Sequence, residues 1–160
     1  MIIKLLQETV YQACNLTISN LEIEPESKEY AACKFIINNK KALFRTAKIT
    51  PTKIGQFVTF WKRNGNGITA PFDLSDSIDF FIITVITPTQ KGQFIFPKEV
   101  LYQQGFISKN NQGGKRAMRV YPPWDKAENK QAIKTQSWQL QYFFEFTTSP
   151  NCVLIQKLFA

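Results

Sequence analysis

The residues of this chain that could do chemistry are mainly carboxylates and lysines, because the sequence contains no histidine. Asp79 begins a strongly apolar run, Lys98 follows the next such run, and Glu29 lies further upstream. Carboxylates that converge on one magnesium ion, with a lysine to stabilise developing charge, can hydrolyse a phosphodiester. Here, however, the triplet that ends at Lys98 is Phe96-Pro97-Lys98, and a phenyl ring cannot ligate magnesium. We therefore expect no catalytic and no metal site; Glu29, Asp79 and Lys98 are the residues of an alternative, a divergent Mg²⁺-dependent nuclease.

Other kinds of catalytic or cofactor site are excluded by composition and motif. Without histidine there is no Ser-His-Asp triad, no Cys-His pair and almost no route to a zinc site. The sequence has no CxxC pair, no P-loop and no GxGxxG motif. No cofactor is expected, apart from magnesium under the nuclease alternative. The three widely spaced cysteines, Cys14, Cys33 and Cys152, are predicted to be reduced, buried thiols.

The net charge of +8 is concentrated in the segment between Glu29 and Asp73, which has no acidic residue. Its cations are Lys34, Lys40, Lys41, Arg45, Lys48, Lys53, Lys62 and Arg63. A local positive field attracts polyanions, above all nucleic acid. Aromatic residues such as Trp61 lie in the same segment, and an unpaired strand needs cations for its phosphates and ring faces for its bases.

A second acid-free basic stretch precedes the sequence Tyr121-Pro122-Pro123-Trp124 and contains Lys109, Lys115, Arg116 and Arg119. Arginine can bind phosphate with two nitrogens, and the ring of a tyrosine or tryptophan can stack on a base. The predicted nucleic-acid contacts from both stretches are Arg45, Lys48, Lys53, Lys62, Arg63, Lys115, Arg116 and Arg119 for phosphate, and Trp61, Tyr121 and Trp124 for stacking. The alternative is that the aromatic rings belong to the core and the charged side chains only face water from exposed strands.

The length and the spacing of apolar residues predict one α+β domain. With 160 residues, of which 44% are hydrophobic, the chain can build a sizeable core. The pattern predicts an amphipathic helix over the first ~15 residues. Strands are predicted over 30–37, 41–49, 56–61, 78–86, 93–96 and 153–158, and helices over 97–104 and 127–146. Two similar segments, 50–57 and 87–94, predict two similar strand–turn–strand units, and 80–86 reads as a central strand packed on both faces.

Neither a membrane span nor a secretory signal is predicted. No apolar run approaches the ~18 residues that a membrane span needs. Lys4 interrupts the apolar residues at the N-terminus, and Glu8 follows soon after. The expected localisation is cytoplasmic.

Several motifs, taken together, resemble the MepB family. They are FRTAKITPTKIGQFV (44–58), FIFPK (94–98), GKRAMRVYPPW (114–124) and TQSWQ (135–139), in the expected order. The resemblance implies a bacterial family, in some cases encoded beside multidrug-efflux genes, with a restriction-endonuclease-like fold that lacks the full active site of PD-(D/E)XK enzymes. It implies a single MepB-like domain over 1–160, with a central mixed or mainly antiparallel sheet flanked by helices. The family's polar positions fall on Arg45, Lys48, Lys53, Lys98, Lys115, Arg116 and Arg119, without any catalytic assignment.

The sequence thus leads to the hypothesis of a non-catalytic protein that binds single-stranded DNA or RNA through a basic aromatic surface. The divergent nuclease is one alternative. The other is a module whose basic face meets an anionic ligand or an acidic protein. The hypothesis requires that the cations of the two stretches come together on one exposed surface.

Overall fold

The computed structural model describes residues 2–160. Within this range the strands are β1 (Ile18–Ile23), β2 (Cys33–Ile37), β3 (Lys40–Thr46), β4 (Lys48–Ile49), β5 (Gln56–Thr59), β6 (Lys62–Arg63), β7 (Thr69–Ala70), β8 (Phe80–Ile86), β9 (Lys91–Pro97), β10 (Ala117–Val120) and β11 (Phe143–Glu145). The α-helices are α1 (Ile2–Leu6), α2 (Lys98–Gln103), α3 (Lys130–Gln139) and α4 (Cys152–Leu158). Short π and 3₁₀ turns continue α1 as far as Cys14.

The main sheet has the strand order β1-β2-β3-β8-β9-β11. Strands β3 and β8 are parallel, and every other pair in this sheet is antiparallel. Side chains from Phe80 to Val85 are buried on both faces of β8, as the continuous apolar run predicts. The mixed sheet flanked by helices confirms the predicted α+β class.

Each face of the main sheet has its own layer and its own core. On one face the helical segment 2–14 and α4 bury residues such as Tyr11 and Phe159, whose rings meet edge to face at 5.6 Å. On the other face lies a small sheet of order β10-β5-β4, which buries Val58, Met118 and Val120. The main sheet therefore separates the terminal helices from the small sheet.

The two similar sequence segments form two antiparallel hairpins, as predicted. Strands β4 and β5 pair around the first segment, with Ile49 opposite Gln56. Strands β8 and β9 pair around the second, with Ile86 opposite Lys91. The helix predicted over 97–104 is also present, as α2.

Three predictions from local pattern are wrong. The chain over 18–23 forms β1, an edge strand that the acidic composition did not indicate. The helix predicted over 127–146 ends at Gln139, and Phe143–Glu145 pairs with β9 because the ring of Phe143 fits against Gly92, where there is no room for a side chain. The strand predicted over 153–158 is helix α4, which begins at an Asn151 cap and buries Ile155 and Phe159 one turn apart.

The prediction of three reduced cysteines is also wrong, because Cys14 and Cys152 form a disulfide. The two residues are 138 positions apart in the sequence, and only the packing of the helical segment 2–14 beside α4 brings their Cα atoms to 5.0 Å. Cys33 is a buried thiol, and burial raises its pKa to about 12.

In the range 2–160, no helix is both long enough and apolar enough to cross a bilayer.

Candidate nucleic-acid interface

The outer face of the small sheet carries a row of basic and aromatic side chains. Lys48 of β4 lies opposite Phe57 of β5, and Phe57 lies opposite Arg119 of β10. Residues directly opposite each other in a sheet point to the same face. Because Val58 and Met118, their neighbours in sequence, are buried against the main sheet, this row faces away from the core.

Arg119 is fixed in place by the turn between β4 and β5. Its Nη1 donates to Thr50 Oγ1 at 3.0 Å and to the carbonyl oxygens of Ile54 and Gly55 at 3.2 Å each. Its Cζ lies 5.9 Å from the centre of the Phe57 ring. Among the described residues the other guanidinium nitrogens make no hydrogen bond, so they remain able to bind an anion.

A cleft of about 390 Å³ lies between β10 and helix α3. On the strand side it is lined by Lys115, Arg119 and Tyr121, which are four and two residues apart and, because both separations are even, share one face of the strand and its extensions. On the helix side its polar lining residues are Asn129, Gln131 and Thr135, and Phe106 also lines the cleft. No carboxylate is among the lining residues, and the cleft therefore combines two cations, two rings and uncharged polar groups.

Two glutamines of α3 hold the strand side of the cleft. Gln139 is fully buried; its Oε1 accepts from Tyr121 N at 2.9 Å and its Nε2 donates to the Arg119 carbonyl at 3.0 Å. Gln136 donates to the carbonyl oxygens of Tyr121 and Asp125 at 3.3 and 2.7 Å. No local pattern in the sequence places these amides inside the protein rather than on a solvent-exposed face of the helix.

The loop that leads to β10 is held by Asp73. Its carboxylate accepts from Ser108 Oγ at 2.6 Å, from Asn111 N at 3.0 Å, and from Ser75 N and Oγ at 3.0 and 2.7 Å. These hydrogen bonds hold the pKa of Asp73 well below its usual range, although burial opposes them. Asp73 therefore positions the segment from which Lys115 emerges.

The remaining cations near the small sheet are exposed. Lys115 Nζ lies 5.2 Å from the Phe106 ring centre, and Lys48 Nζ lies 4.8 Å from that of Tyr30. Arg116 is exposed before β10, and Lys53 is exposed in the turn that binds Arg119. The predicted residues that the structure brings to this side are thus Lys48, Lys53, Lys115, Arg116, Arg119 and Tyr121.

Comparison with known proteins gives a family. The MepB-like family model matches residues 24–145, which is most of the chain. This chain belongs to the MepB-like family. A crystal structure of MepB is 36% identical in sequence and has a TM-score of 0.78, over 81% of this chain and 87% of that one. No curated protein matches this chain.

A bacterial homing endonuclease also aligns, at 11% identity and a TM-score of 0.47, over 86% of this chain and 88% of that one. A similarity at this level carries no conclusion about this MepB-like chain. The endonuclease-like character of the fold stays a prediction from the family resemblance.

Four cations of the first stretch form ion pairs with the chain's own carboxylates, and one of them is Lys34, whose Nζ lies 3.7 Å from Glu24. Arg45 is only 2% exposed and forms an ion pair with Glu24; burial lowers the pKa of its guanidinium, and Glu24 opposes that shift. The prediction that Arg45 contacts phosphate from the surface is wrong for this reason. Lys62 lies 2.8 Å from Asp76, and Arg63 lies 2.7 Å from Glu26. The acidic residues on either side of the basic segment thus fold back onto it, and the two stretches do not form one continuous basic surface.

Two of the three predicted stacking residues, both of them tryptophans, are already in contact with other residues. The ring of Trp61 is covered by Arg63, whose Cζ lies 5.2 Å from the ring centre. Trp124 packs against the core of the small-sheet side and meets Phe143 edge to face at 5.8 Å. Of the predicted stacking residues, Tyr121 alone lines the cleft.

The residues of the nuclease alternative do not come together in this MepB-like chain. Asp79 and Lys98 meet at one end of β8 and β9, where Lys98 N donates to the Asp79 carbonyl at 3.1 Å. Lys98 Nζ, however, is bonded to the carbonyl oxygens of Leu74 and Asp76, and the Asp79 carboxylate accepts from Lys41 N. Glu29 precedes β2 at the opposite end of the sheet. In the described part of the chain, no group of three or more possible metal-ligating side chains exists.

Proposed function

We propose that this chain binds single-stranded nucleic acid, DNA or RNA, in the cleft between β10 and α3 without cleaving it. The observation that supports this proposal is the convergence of Lys115, Arg119 and Tyr121 on one cleft that has no carboxylate in its lining. Phosphate needs cations and an unpaired base needs a ring face, and the lining of this cleft offers both.

Each group in the cleft has a role in the proposal. The unoccupied nitrogens of Arg119 bind one phosphate, and Lys115 adds a second positive charge beside it. The Tyr121 ring stacks on a base, a contact that is worth about 1–3 kcal/mol in proteins of this kind. Because Gln139 and the β4–β5 turn already hold Arg119 and Tyr121, binding requires little ordering of the protein.

A single strand suits the cleft better than a duplex. In a duplex the bases are stacked on each other, so their faces cannot reach Tyr121. A volume of about 390 Å³ lies at the lower end of ordinary ligand sites, which matches one nucleotide rather than a helix. The proposed order of affinity is therefore single strand over duplex at equal charge.

The proposed absence of cleavage rests on the residues at the end of the main sheet where Asp79 and Lys98 lie. A phosphodiesterase of the magnesium type requires converging carboxylates, and here Phe96 replaces the acid of the triplet. Asp79 and Lys98 make hydrogen bonds to the backbone instead of presenting a common site.

The test is fluorescence anisotropy with labelled single-stranded DNA, single-stranded RNA and duplex, in the presence of magnesium. The wild type should bind a single strand more tightly than duplex and leave it intact. Lys115→Ala/Arg116→Ala should weaken binding, whereas Lys4→Ala/Lys91→Ala, which removes two exposed charges elsewhere, should not. Binding of heparin as tight as that of a strand of equal charge would instead favour a general polyanion or acidic-protein site. Cleavage that needs Mg²⁺ and is lost in Asp79→Ala would favour the nuclease.

A further inference from the structure

Helix α3 borders a second groove, on the side turned away from the cleft, with a volume of about 490 Å³. Its lining includes two exposed lysines, Lys130 and Lys134, together with Ile133 and Trp138. Ile133 is 51% exposed, which is high for an isoleucine in a helix. No carboxylate lines this groove, so it repeats the combination of cations and apolar surface found in the cleft.

The cleft and the groove adjoin through two aromatic rings. Phe106 lines the cleft and Trp138 lines the groove, and their ring centres are 6.4 Å apart. On α3 itself, Gln131 and Thr135 face the cleft, while Lys130 and Lys134 face the groove. A ligand that leaves the cleft past Phe106 therefore reaches the groove without crossing an acidic residue of either lining.

The two lysines repel each other in the absence of a ligand. Lys130 and Lys134 are four residues apart on one helix, and like charges at that spacing destabilise a helix. No carboxylate of the described residues forms a salt bridge with either one. A bound polyanion would relieve this repulsion.

The basic surface ends at Gln141. This residue lines the groove and also the next cavity, where Asp79 and Glu99 stand beside Lys40 and Lys157. The acid-free lining that begins in the cleft therefore ends at Gln141.

We infer that a single strand bound in the cleft continues across α3 into this groove, so that the ligand is a strand long enough to fill both. Lys130 and Lys134 contact its phosphates, and Ile133 and Trp138 contact a base. This inference rests on the proposed function and extends it, because it assigns a second subsite and a minimum ligand length.

The test compares labelled oligonucleotides of about four and about twelve nucleotides, lengths that bracket ordinary single-strand sites. The wild type should bind the longer strand more tightly. In Lys130→Ala/Lys134→Ala that gain should disappear, and the salt slope of log K for the longer strand should fall by about 1.4, since each phosphate contact contributes about 0.7. Binding of the shorter strand should not change. Alanine favours helix and both positions are exposed, so the variant should fold.

Lys4→Ala/Lys91→Ala is the matched control and should leave both affinities unchanged. If the wild type binds the short strand but the α3 variant keeps the full length-dependent gain, the groove is not a subsite and the proposed function stands. The same conclusion follows if an acidic peptide occupies the groove without displacing the longer strand. If the wild type binds neither strand, the proposed function fails and this inference fails with it.

Discussion

The side chain of Gln139 bridges the backbone on either side of Val120, because it donates to the carbonyl oxygen of Arg119 at 3.0 Å and accepts from the amide of Tyr121 at 2.9 Å. Gln139 belongs to α3 and the two backbone groups belong to β10 and its continuation. The buried side chain of Gln139 therefore joins the two walls of the cleft and has no proposed contact with the ligand.

Gln139→Leu should destabilise the fold and weaken strand binding together. The leucine fits the buried volume but leaves an amide and a carbonyl group without a partner, at a cost of about 1–3 kcal/mol for each. Urea denaturation should show the loss, and anisotropy should show weaker binding because Arg119 and Tyr121 lose their support. Gln103→Leu, at an exposed position of α2 outside the lining of the cleft, is the control and should leave stability and binding nearly unchanged. Equal stability of the leucine variant and the wild type would contradict the assigned role.

Arg119 and Lys115 should respond differently to substitution, although both are cations of the cleft. Arg119→Lys keeps the charge but cannot reproduce the bonds to Thr50, Ile54 and Gly55, so both thermal stability and affinity should fall. Lys115→Ala removes an exposed side chain that makes no ion pair in the described structure, and it should lower affinity alone. Thermal melting and binding, measured on both variants, separate the two cases. A wild-type melting temperature in Arg119→Lys would show that the contacts with the β4–β5 turn do not contribute to stability.

The disulfide should make stability depend on reductant. Cys14–Cys152 joins the two helical segments that cover one face of the main sheet, and such a link typically contributes about 2–4 kcal/mol. Reduction of the wild type, or Cys14→Ser/Cys152→Ser, should lower the free energy of unfolding by that amount. Reductant added to the double variant should have no further effect. A wild-type melting temperature that is the same with and without reductant would contradict a stabilising disulfide between Cys14 and Cys152.

Asp73 should make the fold sensitive to acid. Its folded pKa is depressed by bonds from Ser108, Asn111 and Ser75, so its contribution is complete above the unfolded value of about 3.9 and is lost as pH falls towards the folded value. Asp73→Asn should therefore be less stable than the wild type at neutral pH, and the difference should shrink below about pH 4. Denaturation of both proteins at several pH values measures this difference in stability. A difference that is constant with pH would mean that the charge of the Asp73 carboxylate has no role.

Much of the sheet could be predicted because its pattern is local. The run Phe80–Ile86 is apolar at every position except Thr84, and such a run is typical of a strand covered on both faces. The two hairpins around 50–57 and 87–94 also follow from local sequence, since the two segments are similar. In these cases the neighbouring residues alone determine the outcome.

The misses have a common physical cause, because each depends on a partner far away in the sequence. Arg45 was expected at the surface. Glu24, which directly follows β1, instead forms an ion pair with its buried guanidinium. Gln139 satisfies backbone groups that no local pattern identifies. The residues over 153–158 form a helix instead of the predicted strand, because the bond from Cys152 to Cys14 and the burial of Ile155 hold them against the helical segment 2–14.

The central claim is that the cleft holds the phosphates of a single strand. Its most direct measurement is the affinity for one single-stranded oligonucleotide as a function of salt, in the wild type and in Lys115→Ala. The wild type should bind less tightly as salt rises, and the slope of log K against log salt should be shallower by about 0.7 in the variant. An affinity that does not change with salt, or an identical slope in the two proteins, would contradict the claim.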